Sequence, residues 1–144
     1  MKKLIPICLI LILATGCCRT LTPAEREQEL AQSKEELLTN PGSVCRFVIN
    51  KSYRQVFRIV QEGFYETGCV EPDDIVVKHR PEIEQVEIDY LCLGRCIART
   101  IVHIEIKALS PDTTEYTEYY FYRWTFERQH RAHCDQVKRY IVNH

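Results

Sequence analysis

Hydrophobic residues recur along this chain with two different periods, and the change of period divides it into elements. From 83 to 93 the period is two, with Val86, Ile88, Tyr90 and Cys92 alternating against Glu87 and Asp89. After Gly94 the alternation resumes from 98 to 108, Val102, Ile104 and Ile106 against Arg99, His103, Glu105 and Lys107. Alternation of this kind predicts strands with one buried and one solvated face. Ser110-Pro111-Asp112 marks a turn. Residues 116–126 then predict an aromatic strand, with Tyr116, Tyr120, Tyr122, Trp124 and Phe126 on one face and Tyr119 and Phe121 on the other. Residues 75–78 offer a further short strand before Pro81, and 44–49 reads as a strand or an extended lead-in.

Three segments change to helical spacing. Ser52-Tyr53-Arg54-Gln55 has the form of a capping box, and Tyr53, Val56, Phe57, Val60 and Phe64 follow as an apolar stripe up to a stop at Gly68. That stripe predicts packing against a sheet rather than a ligand site. From Glu127 onward Cys134, Val137 and Ile141 lie on one side, opposite Arg128, Arg131, Lys138 and Arg139. Earlier, Thr22-Pro23-Ala24-Glu25 forms another capping box with proline in the first turn, opening a helix that runs to Leu38 before Asn40-Pro41-Gly42. Its apolar stripe is thin, Leu30, Leu37 and Leu38 among many charges, so it is expected to pack loosely or stand in solvent as a tether. The expected fold class is α+β: an antiparallel meander of three to four strands, with an N-terminal and a C-terminal helix on one face, preceded by the polar tether helix.

The first residues carry a different signal. Lys2 and Lys3 precede an apolar run, 4–13, that ends in Ala14-Thr15-Gly16-Cys17. This order of cationic start, short apolar stretch and small residues is that of a secretory signal peptide. The run is well short of the ~20 apolar residues that span a bilayer. The segment resembles the lipobox of bacterial lipoproteins, although Ala14 stands where that family most often has leucine, which here is one place earlier at Leu13. The resemblance implies a diacylglycerol on Cys17, cleavage before it, and acylation (palmitate) of the new amino terminus. Two or three acyl chains, at about 0.8 kcal/mol per buried CH₂, would hold the protein stably on a membrane. In Gram-negative members an aspartate after the lipidated cysteine marks inner-membrane retention. Cys18 occupies that place, so the expectation is the outer membrane, facing the periplasm. The division expected is therefore 1–16 signal peptide, 17–42 anchor and tether helix, and 43–144 a disulfide-stabilised domain.

Loss of residues 1–16 leaves 128 of the 144 residues, one ordinary domain. Two of the 19 basic residues, Lys2 and Lys3, leave with the signal, so 17 face 20 acidic ones, a formal charge of −3. That balance argues against nucleic acid as a partner. Eight cysteines in so short an exported chain point to disulfides. With Cys8 discarded, Cys17 acylated and Cys18 beside the membrane, the candidates are Cys45, Cys69, Cys92, Cys96 and Cys134. Cys92 and Cys96 bracket Leu93-Gly94-Arg95 between two strands and form the best local pair. Cys69 can meet Cys134 or Cys45, with Cys134 preferred.

The mature domain is also similar in outline to small proteobacterial lipoproteins, mostly without an assigned activity. Their domain opens with a tyrosine-containing helix ending in cysteine and closes with an aromatic strand carrying tryptophan and then cysteine. The matching pieces are 52–69 and 122–134. The resemblance implies fold and placement, not a mechanism.

Candidate chemistry is sparse. His130-x-x-His133-Cys134 with Cys92-x-x-x-Cys96 matches no standard zinc spacing, and disulfides account better for the cysteines, so no metal or cofactor is expected. Ser33, Ser43, Ser52 and Ser110 lie in tether, turn, cap and loop contexts, and no glycine-rich phosphate loop occurs. Glu82, Glu84, Glu87 and Asp89 read as a solvated strand face rather than a catalytic carboxylate pair. Tyr119 and Phe121 are the candidate partner surface if exposed, and plain core if a second layer covers them. The expectation is a noncatalytic, membrane-anchored envelope lipoprotein that binds another envelope or cell-wall component. The alternatives are a periplasmic inhibitor or immunity-type protein, favoured by a long inserting loop, and a cell-wall enzyme, favoured by a deep pocket with convergent polar groups.

Overall fold

The structure, a computed structural model, describes residues 19–67, 74–121 and 127–144. Helix α1 (Pro23–Thr39) and strand β1 (Ser43–Ile49) are followed by helix α2 (Tyr53–Thr67) and strand β2 (Ile75–Arg80). After one 3-10 turn (Pro81–Ile83) come β3 (Gln85–Leu93), β4 (Ala98–Ser110), β5 (Thr113–Tyr120) and helix α3 (Glu127–Asn143). The protein is α+β, with one antiparallel sheet of five strands in the order β1-β5-β4-β3-β2.

The sheet is wider than the expected three or four strands. Residues 75–80 pair with β3 from Ile75↔Tyr90 to Arg80↔Gln85. Residues 43–49 are a full strand rather than a lead-in, closing the far edge against β5 from Ser43↔Tyr120 to Ile49↔Thr114. Because β1 and β2 occupy opposite edges, the chain between them must cross the sheet, and α2 makes that crossing. Both expected capping boxes form. In α1, Glu25 N–H donates to Thr22 Oγ1 (3.2 Å) and Thr22 N–H to Glu25 Oε2 (2.8 Å). In α2, Gln55 N–H donates to Ser52 Oγ (3.4 Å) and Ser52 N–H to Gln55 Oε1 (3.0 Å). Each satisfies two backbone donors that a helix start otherwise leaves open.

One face of the sheet carries the apolar core. Val86, Ile88, Tyr90, Ile104, Ile106, Tyr116 and Ile49 meet Val56, Ile59 and Val60 of α2 and Ile141 of α3. Phe47 stacks on its cross-strand partner Tyr116 with ring centroids 4.9 Å apart. The two helices approach closely at Gly63, where an added Cβ would come within 2.8 Å of the Tyr140 ring.

The other face is not left to solvent. Helix α1 lies across it, burying Ser33 and Leu37, which corrects the expectation of a loosely packed or free-standing tether. The reason lies in β4, which runs past the end of β5 and leaves backbone donors without a strand partner. Ser33 Oγ accepts from Thr100 N–H (2.9 Å) and Glu29 Oε2 from Ala98 N–H (3.2 Å). Thr100 Oγ1 in turn donates to the Leu30 carbonyl (3.4 Å). A helix with few apolar residues is thus held by polar contacts to an otherwise incomplete sheet edge, an arrangement that hydrophobic periodicity does not reveal. The helices therefore flank the sheet on both faces rather than one.

Candidate functional site

Three features carry polar chemistry, and the first is a cavity between the core-side helices. It measures about 330 Å³ and is lined, among the described residues, by Val60 and Gly63 of α2, Tyr116 and Glu118 of β5, and His133, Gln136, Val137, Tyr140 and Ile141 of α3. The size lies at the lower end of the range for small-molecule sites. Glu118 stands at its base because strand alternation places it on the core face between Tyr116 and Tyr120, where only 7% of it is exposed.

No described cation sits on this carboxyl. Tyr116 donates its hydroxyl to Glu118 Oε2 at 3.0 Å, and Tyr120 also hydrogen-bonds the carboxyl. Burial drives the Glu118 pKa above its ordinary value, and the tyrosine hydrogen bonds offset this only in part. His133 Nε2 lies 4.0 Å from Glu118 Oε2 and is hydrogen-bonded to the Tyr120 hydroxyl. Burial, with His130 nearby, holds the His133 pKa below its usual value, so at neutral pH it is uncharged. Burial raises the Tyr116 phenol well above its normal range, and Tyr90 likewise. The cavity is thus mainly apolar, with one acid at its wall whose pKa burial raises.

On the opposite face the charges are paired. His103, 1% exposed, places Nδ1 2.5 Å from Asp89 Oδ1 and Nε2 3.3 Å from Glu105 Oε1. Two carboxylates on the two ring nitrogens make both nitrogens donors, the arrangement of an imidazolium. Burial opposes that charge, but the hydrogen bonds to Asp89 and Glu105 outweigh it and raise the His103 pKa. Asp89 is held below its usual value, the bonds from His103 and Lys34 outweighing its burial, and Glu105 is lowered chiefly by His103. Lys34 of α1 reaches Asp89 (2.7 Å) and Glu87 (3.6 Å), and Arg80 of β2 holds Glu87 at 2.6 Å. The solvated acidic face expected from sequence is therefore corrected: Glu82 and Glu84 are exposed, but Glu87 and Asp89 belong to a network under a helix. His103 itself is closed to solvent, while Asp89 and Glu105 remain partly exposed at the margin of the network.

The third feature is a groove beside α1, lined by Glu29, Ser33, Cys92, Cys96, Ile97, Arg99, Ile101 and Phe121 among others. It contains one member of the expected partner surface. Phe121 is 37% exposed with the Arg99 guanidinium 5.2 Å from its ring, whereas Tyr119 is half-buried against His103. Coverage by α1 separates the two residues, so they do not form one open platform.

The cysteine pairing also differs. Cys45 of β1 is bonded to Cys134 of α3, which excludes the preferred Cys69–Cys134 bridge; Cys69 itself lies outside the described residues. Cys45 points into the core side of an edge strand, beneath α3, and is nearer than any argument from the end of α2 could show. Cys92 is a free thiol, so the Cys92–Cys96 bridge is absent. The register explains this: Cys92 pairs with Arg99 and Leu93 with Ala98, leaving Cys96 inside the turn rather than opposite Cys92. His130 Nε2 lies 3.5 Å from Cys134 Sγ, but both neighbouring sulfurs are spent on the disulfide. His133 faces the cavity and Cys92 the groove on the other side of the sheet, so the imagined zinc cage is not assembled. Cys17, Cys18, Gly68, Tyr122, Trp124 and Phe126 lie outside the described residues.

Glu118 belongs to no motif in the sequence. The signal was present, because Glu118 shares the parity of Tyr116 and Tyr120, and an acid at a core-facing position needs explanation. No protein-family model matches the chain, and no characterised protein matches it in sequence.

Proposed function

We propose that the protein is a lipid-anchored component of the bacterial envelope, attached through Cys17 to the outer membrane and carrying a noncatalytic binding domain toward the periplasm. One observation carries the reading. Leu21 N–H donates to the Arg95 carbonyl at the tip of the β3–β4 hairpin (3.2 Å), which ties the start of the described chain to the fold. Cys17 is four residues upstream, within ~14 Å of that bond even when extended. With α1 fixed on the sheet, an acylated Cys17 holds the domain close to the bilayer with a set orientation, instead of on a free stalk. Exposed Ile97, Ile101 and Phe121 and the cationic Arg95 and Arg99 lie around the same hairpin and suit a lipid or envelope surface. Among the described residues no helix is long and apolar enough to cross a membrane.

The cavity is the observation that favours the enzyme reading. Against it, Glu118 is the only acid among the described lining residues, whereas hydrolysis of a glycan ordinarily uses two carboxyl groups flanking the bond. A single buried acid among tyrosines suits binding better than bond cleavage.

Expression of the full chain in a Gram-negative host, followed by membrane fractionation and intact mass measurement, tests the anchor. The wild type is expected in the outer-membrane fraction with added acyl mass, and Cys17→Ala free of acyl mass and lost from that fraction. An unacylated wild type, or acylation that survives Cys17→Ala, would overturn the proposal.

A further inference from the structure

The cavity under α2 and α3 has a composition that selects among ligands. Its walls are apolar and aromatic, Val60, Val137, Ile141 and Tyr140, and its one ionisable acid, Glu118, lies at the base with Tyr116 donating to Oε2 at 3.0 Å. Among the described lining residues there is no lysine or arginine. An anionic ligand would meet no countercharge there and would face the Glu118 carboxyl. A purely apolar ligand would leave that carboxyl buried without gain. A cation offers what the site lacks.

We propose that this cavity is a binding site for a small organic cation, a primary or quaternary amine on a short apolar body, with Glu118 as its counterion. The ammonium group sits against the Glu118 carboxylate, the tyrosine hydroxyls complete its polar surroundings, and the aromatic rings add attraction for positive charge. The apolar body of the ligand lies between Val60 and Val137. A volume of about 330 Å³, at the lower end of the range for small-molecule sites, admits a small organic guest. Binding is a balanced exchange: the neutral Glu118 acid and the ligand ammonium give an ion pair, and the acid's proton goes to solvent. The buried carboxyl is raised in pKa when the cavity holds no cation, so the ligand takes over the neutralising role of that proton. The site is on the folded domain and does not depend on acylation of Cys17.

Groups facing Glu118 enter the pH dependence. They are Tyr116 and Tyr120 from β5, Tyr90 from β3 and His133 from α3; burial raises the pKa of Tyr116 and Tyr90, and His133, whose pKa is lowered, becomes a competing cation only in acid. From α2 the described cavity wall is Val60 and Gly63, which carry no charge.

The experiment is calorimetric titration of the full chain in nonionic detergent with butylammonium, tetramethylammonium, butanol and butanoate. Saturable binding of an ammonium probe is expected, with affinity rising up to about tenfold per pH unit while Glu118 is still protonated and then levelling. Glu118→Gln should weaken that binding at least tenfold and remove the Glu118 part of the pH dependence, with its circular dichroism unchanged. Val137→Phe, which fills the cavity without touching the acid, should also abolish binding. Equal binding by the Glu118→Gln variant, preference for butanoate, or no saturable binding by either ammonium probe would overturn the proposal. If Glu118→Gln fails to fold, the wild-type pH profile and Val137→Phe decide the matter.

Discussion

The two faces of the sheet contain buried carboxyl groups and treat them in opposite ways. On the α1 side, Asp89, Glu87 and Glu105 are matched by Lys34, Arg80 and His103, with Asp89 and Glu105 held below and His103 above their ordinary pKa values. On the α2–α3 side, Glu118 has tyrosine hydroxyls and a neutral His133 around it and is pushed toward its protonated form. The strands themselves supply Arg80 and His103 to the first face, and what covers each face adds to the difference. Helix α1 brings a lysine, whereas α2 and α3 bring apolar side chains and a cavity. A buried charge matched by opposite charges fixes the packing of its cover, whereas Glu118 is held by hydrogen bonds from neutral tyrosines.

The contrast also fixes how each face responds to pH. Asp89 and Glu105 have lowered folded pKa values, so their contribution is present above the ordinary carboxylate range and is lost as pH falls through the lowered values. His103 is raised, so its contribution is full below about 6.5 and is lost as pH rises through the raised value. The network is therefore strongest between those limits. Glu118 has the opposite sign from the other carboxyls: its raised pKa makes burial most favourable below the ordinary value of 4.5, and stability is lost as pH rises from there.

The sharpest way to break the comparison is His103→Ala. Removal of the cation leaves Asp89 and Glu105 facing one another in a covered site, and the unfolding free energy at pH 6 is expected to fall by about 4 kcal/mol in urea denaturation. A loss under ~1 kcal/mol would mean that water, not His103, neutralises these acids. Leu37→Ala has a somewhat smaller expected cost, about 3 kcal/mol, because Leu37 is the apolar contact that seats α1 on the network. No measurable change in the same assay would return α1 to the status of a tether and leave the charged face open.

Several elements were legible before any coordinates. The period-two runs of β3 and β4, the stripe of α2 and both capping boxes are local signals, and the folded chain contains each. Contacts made across sequence distance were not legible. Lys34 meets Asp89 from 55 residues away and Ser33 meets Thr100 from 67, and nothing in a polar helix announces such partners. The Cys45–Cys134 bridge spans 89 residues and depends on β1 joining the β5 edge, which periodicity alone does not decide. The Cys92 register failed for a smaller reason, a shift in the β3–β4 pairing between Tyr90 and Leu91 together with a longer turn. Glu118 was different again: its position was available by parity, but the aromatic residues beside it drew the reading toward plain core.

The most direct measurement follows the carboxyl ¹³C resonances of Glu118, Asp89 and Glu105 through a pH titration of the folded protein. The account predicts that Glu118 titrates above 4.5 while Asp89 and Glu105 titrate below their ordinary values of 3.8 and 4.5. Titration of Glu118 at or below 4.5, alongside the other two, would contradict the division of the sheet into a charge-matched face and a face that awaits a cation.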